Sequence, residues 1–143
     1  PNEIWSYGKQ NEEIFTVYIA IREALKDYIR DAMREAHEKG TPIMRPLFYD
    51  FPKDSAAWDS DYTYMFGNRI LVAPVMHYKQ REREVYLPKG CNWIHAFHKH
   101  QYNGGTTVKI QAPLEEIPVF YRADAYEDLP DLSTIMEGSS CTK

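Results

Sequence analysis

The sequence has very little cysteine. Its 143 residues include only Cys91 and Cys141, which form no disulfide framework and lack the paired spacing of a metal site. Proteins without a disulfide framework are typical of reducing compartments. The cysteine content therefore favours a cytoplasmic location.

Long apolar runs and an excess of basic charge are also absent. No apolar run approaches the roughly 18 residues of a membrane-spanning helix, so we expect no membrane partner. The net charge of −4 argues against nucleic acid and against an anionic membrane surface. What the sequence does contain is 43% hydrophobic residues and a high aromatic share of 14%. A chain of this length and composition can bury a sizeable core.

The pattern of one long helix occupies much of the first part of the sequence. From Asn11 to Lys39, apolar residues recur at steps of three and four, with charged residues between them. Gly40 is typical of the position after a helix C-terminus, and Pro42 prevents the helix from continuing. The apolar stripe is wide, so this helix must pack on something large. The stripe consists of Ile14, Tyr18, Ile21, Leu25, Tyr28, Ile29, Ala32 and Ala36.

A short apolar segment, Ile43 to Phe51, follows the helix. Both of its alternating faces are apolar, which is typical of a parallel strand covered by helices on both sides. Asp54 is then suited to cap a short helix. Parallel neighbours need crossovers of roughly a dozen residues or more, and the chain has no room for them. We therefore predict that residues 1–61 form the last αβ(α) segment of a larger sheet or barrel whose other elements lie upstream.

The pattern of an antiparallel β-sandwich extends over residues 62–126. Short β-prone segments recur about every ten residues, with turn signals between them. The pattern fades after Ala125, and residues 127–143 are predicted to be a tail. The predicted strands are Tyr62–Phe66, Arg69–Val75, Arg83–Leu87, Asn92–Phe97, Thr107–Ala112 and Ile117–Arg122.

Several motifs along the chain resemble those of glycoside hydrolase family 31, the family of α-glucosidases and α-xylosidases. They occur in the family's order between Glu3 and Ala125. The sequence departs from the family at Asp27, where proline is usual, and after Arg122, where a small residue and Gly-Ser are usual. The matching motifs are Glu3-Ile4-Trp5-Ser6-Tyr7-Gly8, Gly40-Thr41-Pro42-Ile43-Met44-Arg45-Pro46-Leu47-Phe48, Phe51-Pro52-x-Asp54, Gly67-x-x-Ile70-Leu71-Val72-Ala73-Pro74-Val75, Val85-Tyr86-Leu87-Pro88-x-Gly90 and Ile117-Pro118-Val119-Phe120-x-Arg122.

This resemblance implies a fold, a reaction and a set of partners. The fold is an α/β part followed by an all-β part: the last αβ(α) segment of a (β/α)8 barrel and then an antiparallel β-sandwich. The reaction is retaining hydrolysis of terminal α-glucosides or α-xylosides by two aspartates, which in the family lie upstream of the region matched here. We therefore assign no catalytic, substrate-binding or metal-binding residue to this chain, expect it to be inactive alone, and expect no cofactor. The implied partners are an α-linked oligosaccharide or glycoside and the rest of the barrel.

Two acids and one arginine are candidates by position alone. Asp50 and Asp54 follow the predicted barrel strand at its carboxyl end, where barrel enzymes place their active sites. The alternative is that Asp50 is a loop residue and Asp54 a helix cap, which we favour. Arg45 lies in a buried run, so it needs a carboxylate or carbonyl partner, and we expect a structural pair.

Histidines and adjacent glutamates form two further candidate clusters. His95, His98 and His100 suggest a metal site, but the surrounding loop is rich in lysine and contains no acid or thiolate, and zinc needs three or four such ligands. We expect solvated imidazoles instead. Glu115 and Glu116 are neighbours that point to opposite faces of an extended chain, so we expect no acid/base pair.

The aromatic residues of the sandwich support an alternative function. Trp93, Phe97, Tyr102 and Tyr121 could stack on sugar rings, as in an autonomous carbohydrate-binding module without catalysis. Core packing is the simpler expectation for these rings. A free sandwich also has no use for the wide apolar stripe of the helix.

Overall fold

The computed structural model describes residues 3–140. The backbone forms three layers, with helices on one side, a six-stranded antiparallel sheet in the middle and a two-stranded sheet on the other side. The fold is therefore mixed, with helices followed by antiparallel sheets.

Two consecutive helices replace the predicted long one. A 3₁₀ turn at Ile4–Tyr7 precedes α1 (Lys9–Ala24) and α2 (Lys26–Lys39). The break lies at Leu25, whose ψ of 3° is far from the helical value of about −42°. The apolar periodicity continues through Leu25, and no glycine or proline marks the break, so the pattern could not reveal it.

The residues that bound α2 explain where it begins and ends. Asp27 lies in its first turn, where a negative charge is favoured by the helix dipole. The chain thus starts a new helix here although it lacks the family's proline at this position. Gly40 ends α2 in the left-handed conformation, with φ of 70°, and its N–H donates to Ala36 O. The predicted helix end at Gly40 is therefore confirmed.

Eight short strands form the two sheets. The six-stranded sheet has the order β1-β2-β3-β8-β5-β6, and β4 pairs with β7 in the two-stranded sheet. All pairs are antiparallel. The strands are β1 (Met44–Pro46), β2 (Tyr64–Phe66), β3 (Ile70–Val72), β4 (Glu82–Leu87), β5 (Trp93–His95), β6 (Gln101–Tyr102), β7 (Thr106–Gln111) and β8 (Val119–Arg122).

The prediction of one parallel strand over Ile43–Phe51 is wrong. Only Met44–Pro46 is extended, and Leu47–Asp50 forms a short helix, α3. The strand pairs antiparallel with β2, Arg45 opposite Met65. An apolar run of this length has no periodicity that separates a strand from a buried helical turn, and its pairing partner lies about twenty residues later in the chain.

The six-stranded sheet is apolar on both faces, and each face packs on a different layer. Leu71 and Phe120 face the two-stranded sheet, where they join Val85 and Ile110 in one core. Ile70 and Tyr121 point to the opposite face, because neighbouring residues of a strand alternate. There they pack against the helical layer in a second core, which contains Ile21, Leu25, Leu129 and Leu132.

The region predicted to be a tail contains ordered structure. A 3₁₀ segment at Ala123–Asp128 leads to α4 (Leu132–Ser140), which packs against α1. Leu129 and Leu132 are buried there. The sequence of α4 has only two turns of helix and several serines, so its apolar pattern is too short to recognise. Residues 141–143, and with them Cys141, lie outside the described residues.

Among residues 3–140, no helix has the length and apolar character that crossing a membrane requires.

Candidate functional site

Residues 47–57, here called the loop after β1, include α3 and connect β1 to the rest of the sheet. A buried ion pair joins this loop to β1. Arg45 Nη1 lies 3.1 Å from Asp50 Oδ1, and the arginine side chain is only 6% exposed. The guanidinium also lies over the Tyr49 ring, with Cζ 5.3 Å from its centroid. The expected carboxylate partner of Arg45 is thus Asp50.

The environment of Asp50 favours its neutral form more than water does. Burial raises the pKa of the Asp50 carboxyl, and the positive charges of Arg45 and Arg122 offset only part of that effect. Its Oδ2 is buried without a hydrogen-bond partner among the described residues, as is Nε of Arg45. The pair is therefore held tightly but is incompletely satisfied.

Asp54 connects the same loop to the two-stranded sheet. Its Oδ2 accepts hydrogen bonds from the Tyr86 hydroxyl at 2.7 Å and from the Lys89 N–H at 2.9 Å. Burial would raise the pKa of Asp54, but the bonds from Lys89 and Tyr86 outweigh it and lower the pKa. Asp54 also precedes the 3₁₀ turn Ser55–Ala57, but its side chain makes no cap hydrogen bond there. Its role is to clamp the loop to β4 as an ionised acceptor.

Both acids line one open surface pocket of about 420 Å³. Its wall also includes two lysines, Lys53 and Lys89, and the turn at Gly90. The chain thus brings Asp50 and Asp54 to one pocket. The favoured prediction is not met, because Asp50 ends α3 instead of lying in a loop, and Asp54 makes no side-chain cap hydrogen bond. Each is engaged by a cation or by hydrogen-bond donors, and this pattern is typical of structural carboxylates.

Most of the aromatic residues considered for sugar stacking are core residues. Trp93, Phe97 and Tyr121 are buried. The Trp93 indole N–H donates to Pro88 O at 3.0 Å, and the Tyr121 hydroxyl donates to Pro130 O at 3.2 Å. Tyr102 is half-buried and packs edge-on against Phe120. The expectation of core packing is confirmed for these rings.

A stacked pair of a half-buried and an exposed aromatic residue was not recognised in the sequence. Phe48 and Trp58 stack with ring centroids 4.5 Å apart and planes 13° apart. The Trp58 indole N–H donates to Pro52 O at 3.1 Å, and more than half of the side chain is exposed. The ten-residue separation of the two rings gave no periodic signal.

Two of the three candidate histidines meet a buried acid. Glu116 Oε1 lies 2.9 Å from His98 Nε2 and 3.6 Å from His95 Nε2. Burial, together with His98 and His100, lowers the pKa of His95 to about 4. Burial also raises the pKa of Glu116, although His98 partly offsets this. His100 packs instead against Tyr102.

Glu116 could not be recognised as a partner of the histidines from the sequence, because it lies outside the loop that carries them. Glu116 lies 18 residues from His98, and only the pairing of β5 with β8 brings the two together. Glu115 is exposed and Glu116 is buried, so the two carboxylates point apart as predicted. The expectation of solvated imidazoles is wrong for His95, which is 1% exposed.

Comparison with known proteins identifies the family. The model of the glycosyl hydrolase family 31 C-terminal domain matches residues 40–125. The chain belongs to glycoside hydrolase family 31. The resemblance seen in the sequence motifs is thereby confirmed.

Relatives in this family are found by sequence and by structure. The chain is 41% identical over 134 residues to "Alpha-xylosidase A" from Aspergillus niger, covering 84% of this chain and 18% of that protein. It is 35% identical to "Sulfoquinovosidase" from Escherichia coli, covering 87% of this chain and 18% of that protein. A solved family 31 α-xylosidase from a soil metagenome, complexed with xylose, superposes with a TM-score of 0.85 at 48% identity and covers 90% of this chain and 19% of its own.

The extent of these matches bears on the domain boundaries. The chain spans less than a fifth of the length of these family 31 relatives. The C-terminal domain match begins at residue 40, inside the segment 1–61 that the sequence assigned to a barrel. Residues 40–61 contain β1, which pairs within the six-stranded sheet. The domain match and the strand pairing therefore both group β1 with the antiparallel sheet that follows it.

Proposed function

We propose that this chain is the C-terminal part of a retaining α-glycosidase that hydrolyses terminal α-xylosides or α-glucosides. Membership of family 31 carries the proposal. The similar proteins include enzymes named as α-xylosidase and "Alpha-glucosidase 2". The short coverage of those proteins supports the idea that most of the enzyme lies outside this chain.

We place the end of the catalytic barrel before residue 40. The proposal is supported by the C-terminal domain match, which begins at residue 40, and by the pairing of β1 within the six-stranded sheet. It is also supported by the apolar surface of α1 and α2, which the sheets do not cover. Phe15 and Ile19 on α1 and Met33 on α2 are largely exposed, and α2 has no buried residue. Large apolar side chains grouped on a surface mark an interface. The barrel of the same polypeptide is the partner proposed for this surface.

The reaction would use carboxylates outside residues 1–143. Retaining hydrolysis needs an ionised nucleophile and a protonated acid about 5–5.5 Å apart. Asp54 is a poor donor because its hydrogen bonds lower its pKa, and Asp50 is occupied by Arg45. We therefore propose that both acids shape the loop beside the barrel, and that the catalytic pair is supplied upstream.

The test compares this chain with a full-length enzyme. Aryl α-xyloside and aryl α-glucoside are each offered to residues 1–143 and to the protein extended upstream. Only the extended protein is expected to release the aryl alcohol. Replacing the aspartate in the upstream Trp-x-Asp-Met motif, which is the family's nucleophile motif, should abolish that release. Turnover by residues 1–143 alone would overturn the proposal.

The alternative, a carbohydrate-binding module without catalysis, has less support. Its basis was the aromatic content of the sandwich, and Trp93, Phe97 and Tyr121 are buried. Calorimetric titration of residues 1–143 with malto- and isomalto-oligosaccharides separates the two functions. The enzyme proposal predicts no saturable heat with either series.

A further inference from the structure

A buried histidine nitrogen without a partner lies at the end of β5. His95 is 1% exposed, and its Nε2 has no hydrogen-bond partner among the described residues. A buried polar atom left unsatisfied in this way calls for an explanation, such as a bound ion. The nitrogen is directed at Glu116 Oε1, 3.6 Å away, and the same oxygen lies 2.9 Å from His98 Nε2.

We propose that His95, His98 and Glu116 form a binding site for one divalent transition-metal ion of the zinc type. The ligand atoms of these three residues all lie within 4.8 Å of one another. Ligands at about 2.0–2.2 Å from a tetrahedral zinc ion are separated by roughly 3.4 Å. The His95–Glu116 distance already fits this value. The His98–Glu116 hydrogen bond must lengthen by about 0.5 Å, which the exposed His98 side chain allows.

Metal binding at His95 Nε2 has one structural requirement. The Nδ1 atom of the same ring faces the backbone N–H groups of Phe97 and His98, each at 3.4 Å. An imidazole that binds a metal through Nε2 carries its proton on Nδ1, so both N–H groups must turn away. Both contacts are long for hydrogen bonds, so little bonding is lost, but the two N–H groups then need other acceptors. Binding is therefore expected to shift the turn that carries Phe97 and His98.

The donor set favours a particular class of ion. Two imidazoles and one carboxylate are a common set for zinc, with a fourth position left for water or another ligand. Magnesium and calcium prefer sites made of oxygen ligands, so they should compete poorly. His98 is 61% exposed on its side chain and Glu116 is 7% exposed. The site thus combines a buried base with an open side through which an ion can enter.

The test measures Zn²⁺ binding to the full-length protein after treatment with a chelator. Titration against a competing chromophoric chelator should detect one Zn²⁺ bound through this cluster. His98→Ala and Glu116→Gln should each weaken it at least about tenfold. His37→Ala is the matched control, because His37 is an exposed histidine on α2, and it should leave the affinity unchanged. Zinc X-ray absorption should count two imidazoles in the parent and one in His98→Ala.

Each result decides for or against the site. Equal affinity in the parent, His98→Ala and Glu116→Gln overturns the proposal. Loss of affinity in His98→Ala but not in Glu116→Gln also overturns it, because it indicates binding by a surface histidine alone. The affinity of Glu116→Gln is interpreted only if its circular dichroism matches that of the parent. If the spectra differ, the number of imidazole ligands counted in the parent decides. Fewer than two imidazole ligands would contradict the site.

Discussion

At the level of single residues, one buried and one half-buried acid hold the loop after β1 in different ways. Asp54 accepts hydrogen bonds from Tyr86 and Lys89 and is kept ionised by them. Asp50 is paired with a buried arginine, and burial raises its pKa. Each acid has one carboxylate oxygen without a hydrogen-bond partner among the described residues, but Asp54 receives two hydrogen bonds that favour its charge, whereas Asp50 is bonded only to a buried arginine. Their contributions to stability should therefore respond differently to substitution.

Replacing the acceptor at Asp54 should weaken the clamp between the loop and β4. We expect Asp54→Asn and Tyr86→Phe each to lower the free energy of unfolding by about 1–3 kcal/mol at neutral pH, because a hydrogen bond to a charged group is lost. Because the pKa of Asp54 is lowered by folding, its contribution is fully present above the unfolded pKa of about 3.9. It disappears as the pH falls through the folded pKa.

Urea denaturation between pH 7 and pH 2.5 measures this dependence. The difference between the parent and Asp54→Asn should shrink as the pH falls below 4. Asp59→Asn, at an exposed position in the same loop, should match the parent throughout. A difference that stays constant across the pH range would contradict the role of the Asp54 charge.

Breaking the Arg45–Asp50 pair should lower the free energy of unfolding, whereas replacing both residues by apolar ones should leave it almost unchanged. Asp50→Ala leaves a buried guanidinium without its carboxylate, so we expect a loss of about 3 kcal/mol. Arg45→Met combined with Asp50→Leu removes both charges and should lie within about 1 kcal/mol of the parent. Thermal or urea unfolding of the single and double variants measures the coupling. Lys26→Ala, which breaks the exposed pair with Glu23, should produce no measurable change; a similar loss in that control would refute the distinction.

At the scale of elements, α2 is attached to the sheet mainly through one tyrosine. The Tyr28 hydroxyl donates to Phe66 O at 2.7 Å and accepts from the Arg69 N–H at 3.3 Å. Both partners flank Gly67, whose φ is 64° and whose missing Cβ leaves room for the tyrosine ring. The contact of α2 with the sheet therefore depends on a turn glycine in two ways, through its conformation and through its lack of a side chain.

Gly67→Ala should lower the free energy of unfolding by more than the strain of its positive φ alone. A left-handed φ costs a residue with a side chain about 1–2 kcal/mol, and at Gly67 the added carbon would also collide with the Tyr28 hydroxyl. Gly40→Ala is the matched control, since its φ is 70° and no atom lies within 4 Å of its added carbon. Urea unfolding should show the larger loss for Gly67→Ala, and hydrogen exchange should show faster opening of α2. Equal losses in the two variants would contradict the steric contribution.

At the scale of the whole molecule, the helical layer packs on the sheet with one face and exposes large apolar side chains elsewhere. Ile21 on α1 and Leu25 at the helix break pack against the sheet, while Phe15, Ile19 and Met33 remain exposed. These exposed side chains supply the surface that we propose the barrel covers. Removed from the barrel, this surface has only other copies of the chain to bury it.

Residues 1–143 expressed alone should associate through the helical layer. We expect concentration-dependent sedimentation that is reduced in Phe15→Glu and in Ile19→Glu, since burying a charge at either position is unfavourable. Tyr78→Glu is the control, because Tyr78 is 92% exposed in a loop outside the helices. A monomer at all concentrations, with slow amide exchange throughout α1 and α2, would contradict the expectation.

The end of the helical region, the positions of most strands and the family could all be predicted from local sequence. Gly40 ends the helix, and the ordered motifs from Glu3 onward identify glycoside hydrolase family 31. These features are encoded in turn residues and alternating patterns that act over a few neighbours. The parallel strand predicted over Ile43–Phe51 is wrong, because strand pairing depends on segments that are distant in the chain.

Which segments pair or pack together is set by the folded chain. It pairs β1 antiparallel with β2, breaks the helix at Leu25, packs α4 on α1, and brings Glu116 to His95 and His98. Each of these depends on contacts between segments distant in the chain. Their free energy comes from burying the shared core, which no short window of sequence contains.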